Sequence, residues 1–301
     1  MKKIIAAAVA TAFVAPAFAA DVTLSGDVEY TFQTQGSNTK GTTGDADFFI
    51  TASEDLGNGL SVTAYVGFDD ATTTSAQANR ESKLTISGDF GSIAVGNDAG
   101  DAIGSYDEVA DVAEAGAGST LNDGFSSTNG LVFTPNTGVE GLNFAISYTA
   151  DNDTATGNDT ATSYAIQYDL GVAKVFYGSI DEEGADFNAS VMGASGSFGP
   201  IYVGVERIKN PGATIASTTT GQEEGDTLTN VGVTYDYGVG KLAYETNNYK
   251  DDNASTKDTT KTAMSASYMI GAVNTYIAVS TSETNSVEDD DVTTFGIEYA
   301  F

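Results

Sequence analysis

From Val22 to the last residue, the chain alternates apolar and polar positions with a period of two. Val22, Leu24, Gly26, Val28, Tyr30 and Phe32 share one parity, and Thr23, Ser25, Asp27, Glu29 and Thr31 the other. Alternation of this kind marks a strand with one apolar and one polar face. The same pattern returns in Ala46–Ala52, Leu60–Phe68, Leu84–Gly88, Leu142–Tyr148, Tyr164–Leu170, Val231–Tyr237, Met264–Ile270, Val273–Val279 and Phe295–Phe301. Phe187, Ala189 and Val191 are read as the apolar parity of another strand, which leads through Gly199-Pro200 to Ile201, Val203 and Val205. With the shorter runs Ile93–Val95, Leu131–Phe133, Ala173–Tyr177 and Leu242–Tyr244, the count comes to sixteen strands.

Connection lengths alternate as well. Glycine-rich links close every even strand on the next. Longer polar stretches follow the odd strands, at 33–44, 69–79, 98–128, 150–161, 181–186, 208–227, 250–259 and 283–291. Both chain ends and all the short turns therefore lie on one rim, and the long loops on the other. Long strands, an even count and one rim of short turns predict an all-β, transmembrane antiparallel β-barrel of about sixteen strands. Aromatics fall near strand ends, as interfacial girdles require: Tyr30, Phe32, Phe68, Tyr148, Tyr164, Tyr177, Tyr235, Tyr237, Tyr299 and Phe301. A soluble sandwich also alternates, but its strands are shorter, about five or six residues. No fixed repeat marks a solenoid, and no run of 18 apolar residues marks a helical span.

The first residues break the pattern. Lys2 and Lys3, the apolar run Ile4–Ala15 and the small-x-small Ala17-Phe18-Ala19 read as a secretory leader, residues 1–19, cleaved to leave a barrel over 20–301. Cleavage takes the net charge from −30 to −32, since the leader holds two Lys and no acid.

Composition then excludes much chemistry. The chain has 42 acids, 12 bases, and no Cys, His or Trp. No disulfide, no Cys or His metal ligand and no His-dependent nucleophile is available. The acidic balance repels nucleic acid. Acid pairs such as Glu182-Glu183 and Glu223-Glu224 fall in polar loops without an apolar wall to tune them, so the chain is read as no enzyme.

The order of these features resembles the Gram-negative general porins. Ser53-Glu54-Asp55-Leu56-Gly57-Asn58-Gly59-Leu60, the stretch Ile86 to Asn97, Phe133-Thr134-Pro135 with Gly141-Leu142-Asn143-Phe144, and the terminal Tyr299-Ala300-Phe301 carry the likeness over the mature chain. The resemblance implies a homotrimer of sixteen-stranded barrels in the outer membrane, surrounded by outer-membrane lipids including lipopolysaccharide. It implies passive diffusion of ions and small hydrophilic solutes, and a third loop folded into the pore. It also implies that Tyr299 and Phe301 form the C-terminal signal read by the barrel-assembly machinery. The Pro-Glu-Phe-Gly-Gly tip of enteric third loops is absent. A barrel serving as an adhesin or surface receptor is the other reading, since the outer loops are extensive.

Residues 98–128 form the longest connection, and loops beyond about 12–15 residues are usually functional or disordered. This one holds Asp98, Asp101, Asp107, Glu108, Asp111, Glu114 and Asp123 with no Lys or Arg, and a short helix is expected near Tyr106–Ala115. As a constriction loop it would favour cations, because fixed carboxylates act strongly in a narrow tube. The resemblance implies basic side chains on the facing wall. Lys83 and Lys174 have the inward parity, and Arg80 lies at the loop end of the same strand as Lys83. Lys241 is assigned to the short-turn rim, and Arg207 and Lys209 to loop 6. No cofactor is expected beyond a Ca²⁺ shared by Asp107, Glu108 and Asp111, whose carboxylates suit a hard ion but whose spacing is not an EF-hand.

Overall fold

The computed structural model describes residues 21–36, 38–69, 79–97, 99–106, 110–114, 130–149, 160–182, 188–210, 225–252, 258–284, 287–288 and 291–301. The expected leader, and the loop residues Asp98, Asp107, Glu108 and Asp123, lie outside them. The strands are β1 (Asp21–Gln35), β2 (Asn38–Gly57), β3 (Leu60–Asp69), β4 (Asn79–Gly88), β5 (Gly91–Gly96), β6 (Gly130–Pro135), β7 (Leu142–Thr149), β8 (Ala161–Asp169), β9 (Ala173–Glu182), β10 (Ala189–Phe198), β11 (Ile201–Lys209), β12 (Thr227–Asp236), β13 (Lys241–Lys250), β14 (Thr259–Ile270), β15 (Val273–Thr284), β16 (Val287–Glu288) and β17 (Val292–Ala300). β16 is a two-residue stub that pairs with β15 alone. The other sixteen strands each pair antiparallel with their neighbours in the chain, β17 following β15.

β17 then closes on β1, in a register from Asp27↔Ala300 to Gln35↔Val292. A reciprocal backbone pair completes the seam: Gly26 N–H donates to Phe301 O at 3.1 Å, and Phe301 N–H to Gly26 O at 2.9 Å. Closure leaves no edge, as a span through hydrocarbon demands.

The alternation sorts the side chains. Leu24, Tyr30, Phe32, Ile166, Leu242, Met264, Ile277 and Ile297 lie exposed on the outside, while Thr31, Ser147, Ser163, Glu206, Asn230 and Glu245 are buried on the inner side. Aromatic pairs stand toward both rims of the outer face. Phe32–Phe295 and Phe48–Phe68 (ring centroids 6.4 Å apart in each) lie toward the long-loop rim, and Tyr299–Phe301 (6.2 Å) at the short-turn rim. The tight turn after β2 uses three left-handed residues in a row, Gly57, Asn58 and Gly59, a conformation that glycine and asparagine tolerate.

Four local expectations are corrected. β1 and β2 run on to Gln35 and Asn38, past the loop expected at 33–44, with a bulge at Phe32/Gln33. A polar, Thr-rich stretch keeps strand pairing above the membrane, because loss of apolar residues marks water rather than loss of strand. Arg207 and Lys209 belong to β11, since pairing continues to Lys209↔Thr227. On β10, Ala189 and Val191 are buried on the inner side and Met192 stands exposed outside, the reverse of the expected parity. The reason is that the inner wall there is itself apolar, so hydrophobicity does not mark the lipid face. No helix forms between Tyr106 and Ala115 among the described residues, where 102–106 is turn and 110–114 is irregular.

Ile277 stands on the outer face midway along β15. Ile277→Lys is expected to lower stability, by less than the cost of about 2–4 kcal/mol for a lipid-facing charge at the bilayer midplane, because Ile277 pairs with the girdle residue Phe295. Urea titration of the refolded barrel in vesicles reads this.

Candidate functional site: the lumen and its third loop

Between β5 and β6 the chain enters the barrel and packs along the inner wall. Ala102, Ile103 and half-buried Ala99 and Tyr106 join Val132, Ala145, Ala165, Phe176, Ile180, Ala189, Val191, Ile208, Leu228 and Tyr249 in one buried cluster. These wall residues sit on the lumen parity of strands β6 to β13. The lumen parity is therefore largely apolar where Ala102 and Ile103 of the loop cover it.

Polar anchors hold the loop at the positions it crosses. Ala102 N–H donates to Ser163 Oγ on β8 at 3.0 Å. The Val112 and Ala113 amides both donate to Glu245 Oε2 on β13, at 3.1 and 3.2 Å. Glu114 N–H donates to Ser265 Oγ on β14 at 2.9 Å. Glu245 is 1% exposed, a buried carboxylate whose charge is matched by two backbone donors. Two wall glycines allow the loop this close. A Cβ on Gly178 would stand 2.7 Å from Ile103 Cγ1, and one on Gly232 would stand 2.3 Å from Ala110 O.

The loop acids separate into distinct roles. Asp101 is buried at 3% exposure, and its Oδ1 accepts the Ile103 and Gly104 amides at 2.7 and 2.8 Å, which shapes the turn. Asp111 is exposed and, with Glu114, lines a cavity bounded by Tyr202, Asp236 and Lys241 toward the short-turn rim. Glu114 reaches the opposite wall: Asn274 Nδ2 lies 3.4 Å from Glu114 Oε1 and 3.4 Å from Glu298 Oε2. Among the described residues no three acids are grouped to hold a metal ion. The expected Asp107–Glu108–Asp111 set lies mostly outside them.

Of the expected wall bases, Lys83 faces the lumen on β4, its Nζ 5.3 Å from the centroid of the Tyr65 ring, while the Tyr65 hydroxyl donates to Glu81 Oε2 at 3.0 Å. Lys174 faces inward on β9 and lines a second cavity with Tyr106, Gln167 and Asp169. Arg80 pairs in register with Phe68, and its side chain is outside the described residues. Lys241 lies at the short-turn end of the lumen.

The wall that the loop leaves bare is acidic. β17, β1 and β2 place Glu298, Glu29 and Asp45 directly opposite one another in one row, and Asp27 opposite Asp47 in the next. Tyr276 donates its hydroxyl to Glu29. This cluster is absent from the sequence-based site. Its signal is the inward parity of Asp27 and Glu29 combined with closure of the first strand on the last.

A sequence profile described as Gram-negative porin matches residues 6–301. The chain belongs to the Gram-negative porin family. It forms an outer-membrane channel for small solutes. No curated protein gives a significant sequence match. Solved structures share the fold at low identity. An anion-selective porin from Comamonas acidovorans superposes with TM-score 0.71 at 15% identity, covering 94% of this chain and 100% of the other. A Salmonella typhi OmpF complex with daunomycin gives TM-score 0.74 at 14% identity, covering 93% and 97%. A loop-deletion mutant of OmpT, an outer membrane protein of Vibrio cholerae, gives TM-score 0.67 at 13% identity, covering 94% and 100%.

Glu245→Ala leaves the Val112 and Ala113 amides without their acceptor. It is expected to cost about 1.5–3 kcal/mol and to raise open-channel current noise, measured on single channels in planar bilayers. Gly232→Val is expected to push Ala110 off the wall and lower single-channel conductance.

Proposed function

We propose that this porin is a cation-preferring diffusion channel for ions and small hydrophilic solutes, narrowed by its third loop. The observation that carries the reading is the row Glu298–Glu29–Asp45 with the Asp27–Asp47 pair beside it. Like charges directly opposite on neighbouring strands destabilise a sheet, so folding gains nothing from them. On the bare wall, with the carboxylates of Asp111 and Glu114 on the loop, they concentrate cations in the aqueous path. The low-dielectric wall strengthens the effect: unit charges 4 Å apart interact by about 1 kcal/mol in bulk water and about 4 kcal/mol at an effective dielectric near 20. Lys83 and Lys174 supply the counter-charge that orients a passing dipolar solute.

Transport of this kind requires no catalytic group and no cofactor. Calcium at Asp111 and its loop neighbours would register as a heat of binding that EGTA abolishes. The working unit is a homotrimer. The outer faces of β1 to β3 support this by interspersing Ala46, Ala52 and Ala64 among larger apolar residues, which lets a neighbouring wall approach closely. Crosslinking in native membranes is expected to yield trimers, and monomers alone would exclude them.

In a KCl gradient the reversal potential is expected to favour K⁺ and to shrink as mean salt rises from 0.1 to 1 M, where the screening length falls from about 10 to about 3 Å. The combined variant Asp27→Asn, Glu29→Gln, Asp45→Asn, Asp47→Asn is expected to reduce K⁺ over Cl⁻ selectivity several-fold. It should also gain stability, by about 0.2–1 kcal/mol for each relieved pair. Anion preference in the unmodified protein would refute the proposal.

A further inference from the structure

Phe48 and Phe49 are neighbours in β2 and face opposite ways. Phe48 stands outward and pairs with Phe68 in the aromatic belt. Phe49 stands on the water-facing parity, on the wall where β1 and β2 carry their acids. Its ring stacks on Tyr65 of β3, at 5.8 Å between centroids and 22° between planes. Phe176, the other inward phenylalanine of the described strands, is buried in the cluster beneath the third loop. Phe49 does not belong to that cluster and is only half-buried. Neither lipid nor the loop cluster, the two partners of apolar side chains elsewhere in the barrel, accounts for its place.

The residues around Phe49 hold the ring and crowd it little. In its row stand Ser25 on β1 and Gly67 on β3. Tyr65, which supports it, is itself fixed twice. Its hydroxyl donates to Glu81 Oε2 at 3.0 Å, and Lys83 Nζ lies 5.3 Å from its ring centroid. A Cβ on Gly67 would stand 2.8 Å from Glu81 Oε2 and 2.9 Å from the Tyr65 hydroxyl oxygen, so glycine there makes room for that bond. One two-residue step toward the long-loop rim, about 6.7 Å along β2, comes Asp47, with Asp27 opposite it on β1. No base adjoins Phe49, Asp47 or Asp27 on the inner face of β1 to β3. The wall thus seats one ammonium, that of Lys83, on an aromatic ring, and sets a second ring beside two carboxylates.

We propose that Phe49, with Asp47 and Asp27, is a docking site for small quaternary ammonium ions passing through the channel. The face of an aromatic ring attracts a cation through its quadrupole, and quaternary ammonium groups are the ligands this contact suits best. Such an ion has no N–H to donate, so it gives up little hydration on meeting the ring, while the carboxylates supply the long-range attraction. Alkali cations are drawn by the carboxylates alone. The site rests on the cation-preferring wall proposed above and adds a choice among cations. Its hold is weak, as conduction requires, since a channel site has to release what it takes up.

The test titrates tetramethylammonium chloride, at fixed ionic strength, into the mature protein refolded in a non-ionic polyoxyethylene detergent, with binding read by saturation-transfer NMR. Saturable binding is expected. Phe49→Leu is expected to raise the apparent Kd about two- to fivefold, and Phe49→Trp to lower it. Asp47→Asn is expected to weaken binding as well. Phe49→Leu removes no charge, so its K⁺ over Cl⁻ reversal potential should equal that of the unmodified channel. That potential tests the cation preference, and the titration tests the ring, so either can fail without the other. Heat-modifiable mobility on gels reports folding; if the leucine variant does not fold, the tryptophan variant decides. No saturable binding, an unchanged Kd in folded Phe49→Leu, or weaker binding in Phe49→Trp would each overturn the site. So would an equal loss of sucrose binding in Phe49→Leu, which would make the ring a platform for neutral sugars.

Discussion

Hydrocarbon offers no partner to a backbone amide, and every unpaired N–H or C=O in the membrane costs several kcal/mol. The rest of this structure follows from meeting that demand with strands alone. The sheet must close, so Gly26 and Phe301 exchange two hydrogen bonds where the first strand meets the last. Closure fixes an inside and an outside, and the period of two then sends every second side chain to water and every other one to lipid. The first and last described residues, Asp21 and Phe301, fall on one rim with the short turns, and the long connections lie on the other.

Closure also creates an interior whose wall has to be lined with something other than water alone. The third loop does this over half of the circumference. It is held as part of the wall, by an apolar cluster around Ile103 and Leu228 and by side-chain acceptors from Ser163, Glu245 and Ser265 for its amides. The opposite half stays bare and carries the carboxylates of β17, β1 and β2. The loop's final described residue, Glu114, meets that wall at Asn274, so loop acid and wall acid share one region of the lumen.

Some of this was legible in the residues and some was not. Strand existence, strand order and the short turns read directly from alternation and from glycines such as Gly57, Gly59 and Gly271. The long-loop ends did not, because Thr and Asn in a water-exposed strand extension look the same as Thr and Asn in a loop. Face assignment failed on β10, where Val191 and Ala189 carry an apolar pattern for the loop's sake rather than the membrane's. Asp101 read as a pore acid because composition cannot tell a carboxylate that caps a turn from one that faces water.

Local pattern determined the architecture of this protein: a period of two, enforced by strand geometry, with turn chemistry at regular intervals, suffices for a barrel of sixteen wall strands in an outer membrane. The family likeness rests on that same order of turns. Which residues share the lumen was decided only by the tertiary structure. Glu298 is separated from Glu29 by nearly the whole chain, and Glu245 from Val112 by 133 positions. Side chains so distant in sequence meet only because the sheet closes and the loop folds inward, and no periodicity along the chain records either pairing.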